Sequence, residues 1–492
     1  MRTDRATTSM FIDPIREEFE AAESAIDSGP IYPNVTAAEV REHLKSRYDF
    51  AQAIPLDEAA ADVEDMLRRW QVQVTHPRYF GLFNPSVTVS SVIADTLVAT
   101  YNSQLASWRT SPAANEIERH TLAWLASKFG LPSSTVATFT NGGAEANLSA
   151  VIAALTHTFP EYGEAGLRSL SSSPAIYVSE DAHHSFNKIA HMTGLGRDAL
   201  RRVPIDSGLK IDPEKLTSQI EKDRKNGLIP FMVVGTAGTT TAGVIDPLGE
   251  LAGVCRGQGI WFHVDAAWGG TAILAPSLRS HLAGIELADS ITCDAHKWLS
   301  VAMGCGMFFC RHPRTVQRAF RAEAAYMPSS ADATTFDPYE NSVQWSRRFI
   351  GLKLFLSLAE RGESGQAAMI EHQARMGNLL RESLAAAGWS VVNSTPLPLV
   401  CFTREGLDVP KFLSALRESQ IAWMSETRID GRPVVRACVT SYKTNESDIK
   451  QTVDQITELA LRDGAVIMSH AGAERNSDST KPLIAGTPRQ RR

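Results

Sequence analysis

The sequence predicts an α/β protein built on a largely parallel sheet. Three observations carry this. Short apolar runs alternate with amphipathic helical stretches through the middle of the chain. Most runs end in a corner rich in Gly, Ser, Thr or His and then enter a helix pattern. The runs are close to continuous in hydrophobicity, as expected of strands covered on both faces.

The elements follow in order. Residues 1–75 read as a helical arm with Pro breaks: "DPIREEFEAAESAI", "TAAEVREHL" and "LDEAAADVEDMLRRWQVQV". In the third, Val63, Met66, Leu67 and Trp70 share a helical face, which suits an arm laid across a second subunit. Residues 76–384 form the large domain. Its predicted strands are "SPAIYVSE", "LIPFMVVGTAG", "GIWFHVDAA", "ADSITCD" and "GCGMFFCR". Residues 319–346 lack periodicity, as a disordered stretch or a functional lid does. The helix "SRRFIGLKLFLSLAERG" follows. Residues 385–470 form a smaller α/β domain, with strands "GWSVVN", "PLVCFTR" and "RPVVRACVT" and helices "VPKFLSALRESQ" and "ESDIKQTVDQITELALR". Residues 471–492 are polar with Pro and Gly, and are expected to be disordered.

Bulk composition narrows the class. The 492 residues are 43% hydrophobic and 21% charged, with a net charge of -6. A nucleic-acid-binding surface is not expected of such a chain. Six cysteines without paired short spacing do not make a disulfide framework. Cys305 and Cys310 lie in a run that reads as a buried strand, with no Cys/His cluster of zinc spacing beside it. The stretch "MRTDRATTSMFIDPIREEFE" has no apolar h-region and is not expected to act as a signal peptide, and no run of roughly 18 apolar residues is present to span a membrane. A reduced, cytoplasmic enzyme is the expectation.

Four corners carry the chemistry. In "TFTNGGAEANLSAVIAAL", Gly142 and Gly143 precede a helix, whose free N–H groups and dipole suit a phosphate. In "SEDAHHSFNKIAH", His183 and His184 follow a strand end. In "GIWFHVDAAWGG", Asp265 ends a buried strand, and a buried carboxylate needs a cationic partner. In "SITCDAHKWLSVAMG", Asp294, His296 and Lys297 follow another strand, and Lys297 stands between two segments that both read as buried. Alone, the histidines and the lysine read as ordinary surface or core residues, and the glycine corner reads equally as an anion site or a plain helix start. Gathered at neighbouring strand ends they supply a phosphate cradle, a carboxylate, a flat ring and a lysine. Pyridoxal 5'-phosphate asks for that set, and a lysine bound to it as an imine is not held as a free ammonium.

With these residues in view, the chain resembles the group II pyridoxal-phosphate amino-acid decarboxylases, which act on aromatic amino acids, glutamate, cysteine sulfinate or diaminobutyrate. "HVDAAWGG" and "DAHKWL" stand in the family order, supported by "HPRYFGLFNP", "FMVVGTAGTTTAGVIDP" and "QWSRRFIGLKLF". The resemblance covers roughly residues 60–465. It implies fold type I, the aspartate-aminotransferase-like fold, with a mostly parallel seven-stranded sheet. It also implies a homodimer with active sites at the interface. Lys297 would form the imine, Asp265 pair with the ring nitrogen, Ala267 pack on one ring face and His183 stack on the other. Thr236 would sit near the ring hydroxyl, Gly142 and Gly143 hold the phosphate with His296 nearby, and Arg436 take the substrate carboxylate. Tyr339, on the 319–346 loop, would return a proton to Cα. A tyrosine there and a histidine at 183 favour simple decarboxylation over aldehyde formation.

Two departures stand out. The family usually has Asn-Pro or Asp-Pro before the His-Lys pair, where this chain has Asp294-Ala295. A carboxylate there would repel a phosphate, so Asp294 is expected to point elsewhere or to cap a helix. The glycine corner also lacks the serine hydroxyl that some relatives offer. For the side-chain pocket, Phe80, Leu82, Phe83 and Asn84 are the expected lining, which favours an aromatic or otherwise hydrophobic L-amino acid. Acidic and diamino substrates, and an aldehyde synthase, remain the alternatives.

Overall fold

The computed structural model describes residues 5–84, 86–322 and 335–462, and of residues 5–11 the backbone alone. The tail 471–492 and positions 323–334 of the aperiodic stretch lie outside the described residues.

The chain opens with three helices, α1 (Arg5–Ser28), α2 (Ala37–Arg47) and α3 (Leu56–Arg69). α1 runs through Pro14 where a break was expected. α2 begins in a capping box: Thr36 Oγ1 accepts the Glu39 N–H, and the Glu39 carboxylate accepts the Thr36 N–H. α3 carries Asp57 and Glu58 in its first turn and Arg68 and Arg69 in its last, each sign matched to the helix dipole. No α3 residue is buried, and Val63 and Leu67 of the predicted apolar face are exposed. Met66 and Trp70 of the same face are half-buried, Trp70 against the His43 ring, so within one chain the face is covered in part. α4 (Val89–Tyr101) and α5 (Pro112–Lys128) then lead into the large sheet.

Seven strands build it: β1 (Val136–Thr140), β2 (Pro174–Ser179), β3 (Leu200–Val203), β4 (Ile229–Thr236), β5 (Trp261–Asp265), β6 (Ser290–Asp294) and β7 (Gly306–Cys310). Their spatial order is β1-β7-β6-β5-β4-β2-β3. β3, β2, β4, β5 and β6 pair in parallel, and β7 runs antiparallel to both its neighbours. All five predicted runs are strands. β1 and β3, which were not read as strands, are the two edges. Edge strands need cover on fewer sides, and "LRRV" of β3 carries two arginines that hide its strand character. β2, β5, β6 and β7 are buried at every position, which explains their continuous hydrophobicity. Helix α6 (Gly143–Thr158) packs across the sheet, with most of its length buried.

The helix Leu352–Ala386 is interrupted at Gly362 (φ 64°, ψ 178°), where the sequence pattern predicted its end. Beyond it, β8 (Ser390–Val391), β9 (Leu399–Thr403), β10 (Ser425–Ile429) and β11 (Arg432–Cys438) form an antiparallel sheet in the order β10-β11-β9-β8. The predicted unit had three strands. The extra one, β10, reads "SETRI" and is too polar to stand out. It makes a hairpin with β11 through Asp430-Gly431, both at positive φ, and an Asp-Gly pair is a turn signal in its own right. The helices Val409–Glu418 and Glu446–Arg462 lie where they were expected.

Three large apolar cores result among the described residues, one of them between α6 and the large sheet, with Ala150, Ile176, Phe231 and Phe308; the other two reach the small sheet. One surrounds β5 and reaches Leu399, Cys401 and Val434 of the small sheet, so the two sheets share packing. The other lies under the small sheet and includes Phe402, Phe412, Trp389 and Phe80. All six cysteines are unpaired and buried.

Candidate active site

The C-terminal ends of β1, β2, β4, β5 and β6 converge on one small cavity of about 50 Å³. In sheets of this kind ligands bind outside those ends. Larger hollows exist elsewhere on the molecule, but none is lined by these strand ends. The cavity is lined by Gly143, Ala144 and Asn147 of α6, His183 after β2, and Thr236, Gly238 and Thr240 at and beyond the end of β4. Asp265, Ala267 and Trp268 close it after β5, and Asp294 and Lys297 after β6. The four corners singled out in the sequence therefore meet.

Lys297 sits with its Nζ 2.9 Å from Asp294 Oδ2 and keeps about a fifth of its side chain exposed. Burial alone would push its ammonium down. Asp294 and then Asp265 outweigh that and hold it above the ordinary lysine range. The expectation that Asp294 points elsewhere or caps a helix is therefore corrected: it lines the cavity, and by its described contacts it caps no helix. It pairs with Lys297, and its Oδ2 lies 2.9 Å from where a Cβ on Gly143 would stand. Its Oδ1 is buried without a hydrogen-bond partner. His296 is buried, its Nδ1 accepting the Cys305 N–H at 3.1 Å and its Nε2 3.9 Å from Asp294. Burial lowers its pKa against the pull of Asp294.

α6 starts at the glycine corner with no side-chain cap. Backbones crowd there: a Cβ on Gly142 would meet His296 Cε1 at 3.4 Å, and one on Gly143 would meet Ala267 Cβ at 3.2 Å as well as Asp294. Asp265 is 4% exposed; its Oδ2 accepts from Asn147 Nδ2 at 2.9 Å and its Oδ1 from the Ala267 N–H at 3.2 Å. Thr236 is placed by its N–H donating to Asp246 Oδ2 at 2.7 Å, and its own Oγ1 is buried without a partner. Asp246 also accepts the Ile211 N–H, and burial pushes its carboxyl up to about 6. His183 is exposed at the cavity mouth. Its Nδ1 accepts the Ser185 N–H at 3.2 Å, which leaves Nε2 to carry the proton of the neutral ring.

The aromatic residue lining the cavity is Trp268, and Phe83, buried beside it, stacks on it at 4.6 Å between centroids. Lys297 Nζ lies 5.8 Å from the Phe83 centroid and Arg436 Cζ lies 4.9 Å from it. Arg436 is 3% exposed; its Nε donates to Thr240 O and its Nη1 to Gly81 O, while its Nη2 has no hydrogen-bond partner. Three of the other expected residues fall elsewhere. Phe80 is fully buried in the core under the small sheet, where an apolar side chain is held by packing rather than by a ligand. Leu82 is 53% exposed, and Asn84 Nδ2 contacts Met303 Sδ at 2.8 Å. Tyr339 is not among the residues lining the cavity. It is buried, its N–H donates to Ala106 O, its Oη to Glu340 Oε1, and its ring packs on Trp345. Burial, then Glu340, pushes its hydroxyl up to about 12.

Sequence reasoning passed over Asn147 and His263. Asn147 follows Gly143 by one helical turn and is the one amide side chain of α6, standing just before its apolar middle, which is the signal that could have found it. His263 precedes Asp265 by two on β5, so both side chains share a face, and its Nε2 lies 3.0 Å from Asn147 Oδ1. Complete burial pushes its pKa down to about 4. This sets a pH dependence. Above ~6.5 the ring is neutral in both folded and unfolded chains, so it contributes nothing. As pH falls from there towards 4, the unfolded chain takes up a proton that the native chain refuses, and stability drops by about 3 kcal/mol. Urea unfolding at neutral and acid pH is expected to show this loss in the native chain and a smaller one in His263→Gln.

The cavity fits pyridoxal phosphate on its own terms. An uncapped helix start faces it, a fixed carboxylate lies at its far wall, a lysine points in, and Thr236 Oγ1 and Asp294 Oδ1 await partners. Comparison with known proteins agrees. Residues 42–405 match the family model described as the pyridoxal-dependent decarboxylase conserved domain. An aromatic-L-amino-acid decarboxylase of Bacillus atrophaeus is 29% identical over 400 residues, 79% of this chain and 82% of its own. Tyrosine decarboxylase 2 of Narcissus pseudonarcissus is 28% identical over 453 residues, 87% of this chain and 88% of its own. In structure, Oryza sativa TDC with PLP and tryptamine superposes with a TM-score of 0.86 at 24% identity, over 94% of this chain and 99% of that one, which shows the fold. The family match takes in the glycine corner, both cavity carboxylates and the lysine, and on it the chain belongs to the pyridoxal-dependent decarboxylases.

Proposed function

We propose that this decarboxylase acts on an aromatic L-amino acid and releases the corresponding amine and carbon dioxide. The observation that carries the reading is the position of Phe83. Its ring centroid lies 5.8 Å from Lys297 Nζ, where an amino group would be received, and 4.9 Å from Arg436 Cζ, where a carboxylate would be received, and it stacks on Trp268, which lines the cavity. An aromatic side chain gains from such a wall both burial and ring stacking. The names of the related aromatic and tyrosine decarboxylases support the same substrate class.

Bound pyridoxal phosphate supplies the sink for the electrons of the bond that breaks. On this reading Lys297 carries the cofactor and Asp265 holds a proton at its ring nitrogen. Ala267 and His183 flank the ring, Thr236 serves its hydroxyl side, and Gly142, Gly143 and His296 hold the phosphate end. Arg436 orients the substrate, and orientation decides which bond to Cα breaks. Its Nε and Nη1 are already committed to backbone carbonyls, so one nitrogen remains for the carboxylate. A one-point hold orients the group without the full ground-state stabilisation of a two-point fork. Arg436→Lys is expected to raise KM by roughly tenfold or more, the cost of a charged hydrogen bond, with a smaller change in kcat. An unchanged KM removes the carboxylate role.

The carbon left behind must be protonated, and Tyr339 is the proposed donor. Its in-chain contacts keep it off the cavity, so the role requires the loop of a second copy. We accordingly infer a homodimer, which the exposed Val63 and Leu67 of α3 and Phe50 at 91% exposure also support. Sedimentation at the single-chain mass of 53.6 kDa would remove it. A cytoplasmic location is proposed on the six unpaired cysteines. Among the described residues no helix is long and apolar enough to cross a membrane.

Product analysis by mass spectrometry tests both the substrate and the donor. The cofactor-loaded protein is expected to convert tyrosine, tryptophan, phenylalanine or a close aromatic analogue to amine with equal carbon dioxide. Amine from glutamate, cysteine sulfinate or 2,4-diaminobutyrate instead would overturn the substrate class. The donor role predicts that Tyr339→Phe forms amine roughly 10²-fold more slowly and diverts to aldehyde. Amine at full rate, with the loss appearing in Tyr326→Phe, would move the role to that second tyrosine of the stretch, which lies outside the described residues.

A further inference from the structure

We propose that a one-directional chain of hydrogen bonds, from Trp261 through Ser290, His263 and Asn147, fixes Asp265 as a carboxylate facing the cavity, with His263 its central positioning residue. The proposal rests on the reading of Asp265 as the partner of the ring nitrogen.

Trp261, His263 and Asp265 are alternate residues of β5, so their side chains leave the same face of the sheet, towards α6. Trp261 Nε1 donates to Ser290 Oγ at 2.9 Å. Ser290 Oγ lies 2.9 Å from His263 Nδ1, His263 Nε2 lies 3.0 Å from Asn147 Oδ1, and Asn147 Nδ2 lies 2.9 Å from Asp265 Oδ2. Each of the five residues is at most 4% exposed, so water does not compete along the chain.

Its ends set its direction. An indole N–H only donates, and a carboxylate only accepts. Asp265 therefore requires the amide nitrogen of Asn147 on its side, which turns the amide oxygen to His263. His263 must then donate from Nε2, so the Nδ1 of the neutral ring is bare and accepts the Ser290 hydroxyl proton. Ser290 Oγ in turn accepts from Trp261. The opposite tautomer would set the bare Nε2 against the bare Asn147 oxygen, two acceptors with no proton between them in a dry site. The Ser290 carbonyl, 3.2 Å from Nδ1, would favour that opposite tautomer, and it is outweighed because it leaves the Asn147 contact unmade. Asn147 Nδ2 also lies 3.4 Å from Ser185 Oγ, which is 2.9 Å from His183 Nδ1. A branch of the same sense thus holds His183 with its proton on Nε2. One amide on α6 sets both the carboxylate and the histidine at the cavity mouth.

The test separates this chain from mere packing. In the full-length protein, isotope-edited NMR of the histidine ring nitrogens, with His263 assigned by its absence in His263→Gln, is expected to show the proton on Nε2. A proton on Nδ1 overturns the proposal, whatever becomes of any variant. Equilibrium dialysis against pyridoxal phosphate gives the second readout. His263→Phe keeps the ring volume but cuts the chain, and is expected to raise the dissociation constant roughly tenfold or more. His263→Gln, which can still accept from Ser290 and donate to Asn147, is expected to recover most of that loss. Ser290→Ala, cut one link upstream, is expected to shift the constant in the same direction. Wild-type affinity in a folded His263→Phe, or no recovery in His263→Gln, overturns the positioning role. Asp265→Asn with wild-type affinity would instead defeat the reading of Asp265, while the tautomer still judges the chain.

Discussion

Lys297→Ala is expected to lose decarboxylation by roughly 10³-fold or more, the scale on which removal of a group acting at the reacting atoms is felt. Lys297 is the amine that enters the cavity where the ends of β1, β2, β4, β5 and β6 meet. Arginine is not a substitute, since its guanidinium does not give up a proton to become a nucleophile. The loss should therefore persist in Lys297→Arg, although the charge beside Asp294 is kept. The two variants part on stability. Alanine leaves Asp294, which is 1% exposed with one oxygen already unpartnered, as a buried charge without its ion pair. That is expected to cost on the order of 3 kcal/mol in the cofactor-free chain. Asp294→Asn in the same background is expected to return most of it. The measurements are turnover under saturating substrate, urea unfolding, and the mass of the chain after borohydride reduction, which retains cofactor only where the lysine is present. Activity within tenfold of wild type in Lys297→Ala would remove the lysine from the chemistry.

Asp265→Ala is the second large effect. It is expected to slow turnover by roughly 10²-fold or more at saturating cofactor, as the loss of a preorganised charge at a reacting group does. The same change leaves the Asn147 amide and the Ala267 N–H facing an apolar hole, so weaker cofactor binding should accompany it. Asp265→Glu is not expected to rescue. The carboxylate position is set by two donors about 3 Å away, and an extra methylene carries the charge past both. Dialysis separates the two effects, and a turnover loss confined to subsaturating cofactor would show that Asp265 acts only in binding.

The sequence made much of this legible because the site chemistry sits at strand ends. Strands buried on both faces announce themselves as apolar runs, and the residue that ends a run must lie at the edge where ligands bind. Asp265 and Asp294 could be placed that way, whereas Thr236, inside the run that was read, came only from the family resemblance. Strand β3 could not, since its arginines need no burial at an edge, and neither could β10, whose polar residues follow from its place at the rim of the small sheet. Asp294 was misjudged because a carboxylate was weighed against a phosphate alone. The lysine three residues on, close enough for an ion pair once the turn after β6 closes, was left out of that balance. Phe80 and Phe83 show a further limit. They lie three apart in one aromatic-rich segment, yet one fills the core under the small sheet and the other packs behind the cavity on Trp268. No local pattern distinguishes them, because the difference is made by Trp423 and Trp268, distant in sequence, to whose backbone the one is tied and on whose ring the other stacks.

The burial of every cysteine has a consequence for how the protein ages. Burial pushes Cys293, Cys310 and Cys401 up to about 12 and Cys438 to about 11, and raises Cys255 and Cys305 as well. At neutral pH none of the six offers a thiolate to peroxide or to a disulfide, and none offers a surface from which to react. Oxidative damage at sulfur therefore waits on the opening of the fold. Where reclosing outpaces oxidation, the loss of these thiols during storage follows the population of the opened chain, and so the stability of the native structure.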